Sequence, residues 1–187
     1  MTSKISTRRI AMAGVLAALT CAGTGFRIII PVSIGGTTAF HLGNILCALS
    51  GILLGPWLGG VSAGLGSMLY DLTNPAYVAD CWITFLTKFA YGMAAGLVIR
   101  GGKQKEWGYT KAALAAATGA VTYAILYLTK SFLETVIVSG ATADAALLAL
   151  GLKLPATIFN AAVAVIFAPI LAVAISKALK QNHLSLE

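Results

Sequence analysis

Four stretches of the chain contain no Asp, Glu, Lys or Arg: residues 10–26 (17 residues), 28–70 (43), 112–129 (18) and 154–176 (23). A helix needs about 20 mostly apolar residues to cross the hydrocarbon core of a bilayer, so these runs have the length scale of membrane spans. The run of 43 is too long for one span. Gly55-Pro56 divides its C-terminal part, because proline ends a preceding helix and glycine suits a helix terminus. A further apolar segment runs over 82–99 with Lys88 inside it. The pattern predicts an all-α fold, a single membrane domain over 1–187 built as a six-transmembrane-helix bundle. Its helices are expected at about 8–25, 39–55, 57–73, 82–100, 111–138 and 155–177. The second and third are short for spans, so they either tilt little or border a cavity open to water.

Composition narrows the classes further. Charged residues make up 10% of the chain, against about 25% in soluble domains. Disorder, which needs high charge and low hydrophobicity, is excluded, and too little polar surface exists to cover a soluble globule. The net charge of +7 raises nucleic-acid binding as a possibility, and its distribution answers that. With the N-terminus inside, Lys4, Arg8, Arg9, Arg100, Lys103, Lys105, Lys111, Lys177 and Lys180 all fall on the cytoplasmic side, with Glu106 and Glu187. The membrane and the outer side hold Arg27, Lys88, Lys130 and Lys153, balanced by Asp71, Asp80, Glu134 and Asp144. The excess is therefore a topology signal: both termini cytoplasmic, in a multi-pass protein of the cell (plasma) membrane. The basic start followed by an apolar run has the look of a signal peptide. The membrane-like remainder argues instead for a retained first helix.

Chemistry-bearing motifs are sparse. Cys21, Cys47 and Cys81 have no disulfide or metal-ligand spacing. Gly102-Lys103 is followed by Gln104 and lacks the first glycine of a phosphate-binding loop. No H-E-x-x-H or G-x-S-x-G occurs. The chain reads as no enzyme, with no cofactor and no metal site.

Polar groups inside spans are costly and mark functional sites by default. His41 and Asn44 share a helix face, Tyr70 and Asp71 end the third helix, and Tyr77 and Trp82 lie beyond it. Lys88 lies one to two turns into the fourth helix, either snorkelling or facing inward towards Asp71 or an anionic substrate. Tyr123, Tyr127, Lys130 and Glu134 form one polar stripe on the fifth, in which Lys130 and Glu134 are spaced as an ion pair. Asn160 on the sixth is placed to hydrogen-bond across helices or to face a cavity. With Arg27, these are the candidate substrate contacts, and all lie on the outer side. The inner halves are apolar, which implies capture from outside without a continuous path through the chain. Small residues recur at four-residue spacing, as Gly14, Ala18 and Ala22 in the first helix and as Gly60 and Gly64 in the third. Such stripes let helices approach closely. The third-helix stripe reads as internal packing, whereas the first is open to two readings, packing within the chain or docking on another membrane protein.

The stretch His41-Leu42-Gly43-Asn44, then 53–60 (LLGPWLGG), Gly64-Leu65-Gly66-Ser67, Asp71-Leu72, 84–89 (TFLTKF) and Ala95-Gly96 resembles the substrate-binding S components of energy-coupling factor (ECF) transporters. The resemblance is clearest over 37–100 and closest to the riboflavin-like, general vitamin branch. It implies a six-helix membrane protein that binds a vitamin or similar micronutrient near its outer face. It also implies partners: a transmembrane coupling protein and two cytoplasmic ATPases, with Gly14, Ala18 and Ala22 as the docking face. The competing readings are a stand-alone secondary transporter or channel, and a membrane scaffold without a small ligand.

Overall fold

The structure is a computed structural model, and it describes residues 6–32, 37–101 and 107–182. Lys4, Lys103, Lys105, Glu106 and Glu187 lie outside the described residues. Six α-helices are found among those described: α1 (Thr7–Gly25), α2 (Gly43–Leu54), α3 (Pro56–Leu72), α4 (Cys81–Arg100), α5 (Tyr109–Leu133) and α6 (Ala143–Gln181). Between α1 and α2 the chain forms a hairpin, β1 (Arg27–Pro31) and β2 (Thr37–His41). The strands are antiparallel, with Arg27 opposite His41 and Ile29 opposite Ala39.

Two expected boundaries change. The second helix begins at Gly43 rather than 39, because 37–41 pair as a strand. The sixth begins at Ala143 rather than 155, with Pro155 and Pro169 inside it. Neighbouring helices and local adjustments tolerate proline in membrane helices. At 39 residues and about 1.5 Å per residue, α6 is longer than the hydrocarbon core is thick. The helix after α5 continues for one π-helical turn, Glu134–Val138.

The packing is inverted relative to a soluble protein. The interior is made of small side chains, among them Ala48, Ala63, Ala95, Ala115, Ala116, Ala164 and Ala168, all fully buried. Large apolar side chains face outward, including Leu69, Leu86, Leu97, Leu114, Ile125, Ile166 and Phe167. Without a hydrophobic drive between helices in lipid, close approach of small residues supplies the association energy. The segments containing α4, α5 and α6 are each long and apolar enough to cross a membrane. The third-helix stripe packs inside the chain as its spacing suggested: Gly60 lies against Phe89, Gly64 against Phe85, and Gly66 against α1. Gly55 adopts φ +81°, which ends α2 and lets Pro56 start α3 at once. Arg9 and Arg100 both donate to the Leu54 carbonyl there, at 2.5 and 3.0 Å, closing the end of the bundle opposite the hairpin. Arg8, Lys111, Lys177 and Lys180 share that end, and no acidic residue joins them among the described residues.

Candidate functional site

A cavity of about 300 Å³ opens beneath the hairpin, between the ends of α2, α3, α4, α5 and α6. Short α2 makes its floor. Asn44, in its first turn, is buried and faces the cavity, so α2 has only the remaining depth of the bundle to cross.

The roof is held from several sides. An isolated two-stranded hairpin is marginal in water, so its anchors decide whether the cavity has a stable roof. Asn160 of α6 acts on β2 like a further strand. Its Oδ1 accepts from the His41 N–H at 3.1 Å, and its Nδ2 donates to the Ala39 carbonyl at 2.7 Å. Phe40 packs edge-on against Phe159, with centroids 4.7 Å apart. Tyr127 of α5 donates to Thr38 at 3.5 Å, and Thr37 and Tyr77 share a hydrogen bond of 3.3 Å. Arg27, at the start of β1, places its guanidinium 4.0 Å from the Tyr70 ring centre and 4.9 Å from that of Tyr77, with Nε on the Thr24 carbonyl at 3.0 Å. That cation–π sandwich ties the hairpin to the α3–α4 connection.

The walls carry the charge. Lys130 bridges two carboxylates, Asp80 at 2.8 Å and Glu134 at 2.7 Å. The intrahelical pair expected from the sequence therefore forms, and a second partner joins it from the α3–α4 connection. Lys153 donates to Ser131 at 2.6 Å. Asp71 is buried and accepts from Thr84. Lys88 does not snorkel. It is 3% exposed, donates to Asn44 Oδ1, and sits 3.6 Å above the Tyr123 ring. Tyr123 stacks between Tyr91 and Tyr127, with centroids 5.8 and 5.7 Å apart.

Of the residues singled out from the sequence, Arg27, His41, Asn44, Asp71, Tyr77, Lys88, Tyr123, Tyr127, Lys130, Glu134 and Asn160 all line this cavity. Tyr70 stands behind Arg27 and outside the lining, and Trp82 is 59% exposed on the surface of α4. Lys153, Thr157 and Asp80 line the cavity and were not singled out. Lys153, Thr157 and Asn160 fall at i, i+4 and i+7, one helical face. The spacing was readable once α6 is taken through Pro155.

Asn160 has spent both ends of its amide on the hairpin, which makes it a positioning residue. Asn160→Ala is expected to release β2. Losing two partly buried hydrogen bonds costs about 1–3 kcal/mol, so ligand binding should weaken about tenfold. Amide exchange over 37–41 should speed up in parallel. Unchanged exchange would contradict the anchoring role.

A helical bundle with an apolar exterior, roofed at one end over a cavity of charged and aromatic side chains, has the architecture of a membrane protein with a small-molecule pocket near one face. The family model of the ECF-type riboflavin transporter, S component, matches residues 4–177, and the chain belongs to that family. The family is one of multi-pass transporter components rather than enzymes. No curated protein matches the chain.

Proposed function

We propose that this chain is the high-affinity substrate-binding subunit of an ECF-type importer in the cell membrane, capturing a water-soluble vitamin or related micronutrient from outside. All six helices cross the bilayer and both termini are cytoplasmic. The charge distribution supports this orientation: among the described residues the end opposite the hairpin carries basic side chains and no acidic ones, as the positive-inside rule expects of a cytoplasmic face. The cavity then opens outward.

The carrying observation is the roofed cavity itself, with Lys88 and Asn44 at its base and Tyr123 and Tyr127 on its wall. Gly14, Ala18 and Ala22 support the partner reading. All three are exposed on one face of α1, and no described residue lies within 4 Å of the position a Gly14 side chain would occupy. That face is free to meet a transmembrane coupling protein, which in turn would work with two cytoplasmic ATPases.

Native mass spectrometry of the purified protein tests this reading. One small molecule of vitamin size should remain bound per chain. A ligand-free spectrum, unaltered by prior incubation with vitamin mixtures, would contradict it.

A further inference from the structure

Four cationic side chains reach the cavity, and they differ in what meets their charge. Lys130 is neutralised by two carboxylates. Lys88, the most deeply placed, has only neutral partners in direct contact among the described residues: the Asn44 amide oxygen and the Tyr123 ring. Asp71 lines the same cavity, but its carboxylate takes the Thr84 hydroxyl and makes no ion pair with Lys88. An ammonium group has three donors, and Asn44 engages one of those on Lys88. A charge held out of water is costly unless an opposite charge completes it. A cation in a cavity without its own carboxylate is therefore a place where a ligand supplies the anion. Beside it, Tyr123 and Tyr127 present part-exposed, nearly parallel rings, 20° apart, to the same space.

We propose that the substrate is a planar aromatic acid, its ring lying along the Tyr123–Tyr127 wall and its carboxylate or phosphate on the Lys88 ammonium. This rests on the cavity being the micronutrient site and goes beyond it. Riboflavin, which names the family, is a neutral ring system and leaves Lys88 without a counter-charge.

The test is calorimetric titration of the detergent-purified protein with two matched pairs: nicotinate against nicotinamide, and riboflavin 5′-phosphate against riboflavin. In one pair the acid should bind at least about tenfold more tightly than its neutral partner, the equivalent of one ion pair. Which pair responds tells a carboxylate site from a phosphate site. Lys88→Met should abolish the preference and Lys88→Arg should retain much of it, both eluting as monodisperse protein. If Lys88→Met aggregates, the matched pairs on the unaltered protein and on Lys88→Arg decide. Equal binding within both pairs, or a preference that survives Lys88→Met, would overturn the proposal. Tight binding of riboflavin alone would overturn it while upholding the micronutrient function. Silence from all four probes would overturn the aromatic-acid assignment, and the native mass spectrum would report separately on whether the cavity binds a micronutrient at all.

Discussion

Replacing Ala18 with leucine is expected to cut ATP-driven uptake by the assembled transporter about tenfold or more, and to leave substrate affinity of the isolated subunit unchanged. Ala18 lies on the exposed face of α1, between Gly14 and Ala22. Four-residue spacing of small side chains makes a shallow groove into which a partner helix can settle. A leucine in the middle of it holds the partner away. Overpacking a close contact costs about 1–3 kcal/mol, and about 1.4 kcal/mol is tenfold in affinity. The substitution touches neither the cavity nor the chain's own packing, since the site faces out. Co-elution with the coupling protein and titration of the subunit alone measure the two effects separately. Loss of both to the same degree would show that this face serves folding and not docking.

The second large effect is at Gly92. There α2, α3 and α4 meet backbone to backbone: a side-chain carbon on Gly92 would lie 2.7 Å from the Gly59 carbonyl oxygen and 3.0 Å from the Gly60 Cα. Neither atom belongs to a side chain that can swing aside, so the helices must part. Alanine in a helix is ordinarily favoured over glycine by about 1 kcal/mol, but an overpacked contact of this kind costs about 1–3 kcal/mol. Gly92→Ala should therefore lower the melting temperature in detergent, and Gly92→Leu should prevent accumulation of folded protein. Gly14→Ala is the matched control. Its new methyl group meets none of the described residues within 4 Å, so propensity alone acts and the melting temperature should hold or rise. Equal behaviour of Gly92→Ala and Gly14→Ala would remove the backbone seam from the account.

The helical bundle was legible because its signal is physical and local: a run long enough to span and free of charge has few other solutions. The hairpin was not. Residues 28–30 are three isoleucines, and 37–41 carry no charge, so by hydropathy both merge with the helices on either side. The β-branched run and the Gly35-Gly36 pair between them were the available signs of strand and turn. The long uncharged stretch outweighed them. The start of α6 is hidden for a related reason. Pro155 is a good helix start in water, yet in the bundle it lies inside a continuous helix that also carries Lys153.

At the site, residue types were readable and roles were not. Lys88 stood out as an ionisable group inside a span, and the structure buries it. Its partner Asn44 lies 44 residues earlier, a relation that no spacing rule on one helix reveals. Asn160 was legible as a polar residue in a span, but its use of both amide atoms on β2 depends on a strand that the sequence did not disclose. Tyr123 appeared in a helical stripe, while its stacking on Tyr91 of α4 is a tertiary fact.

The chain is expected to bind without transporting by itself, and reconstitution in liposomes tests this most directly. With the chain alone, the substrate identified by native mass spectrometry should bind but not accumulate, whether or not ATP or an ion gradient is present. With the coupling protein and both ATPases added, accumulation should appear and depend on ATP. Ion-driven flux by this chain in the absence of partners would contradict the account and identify a stand-alone transporter instead.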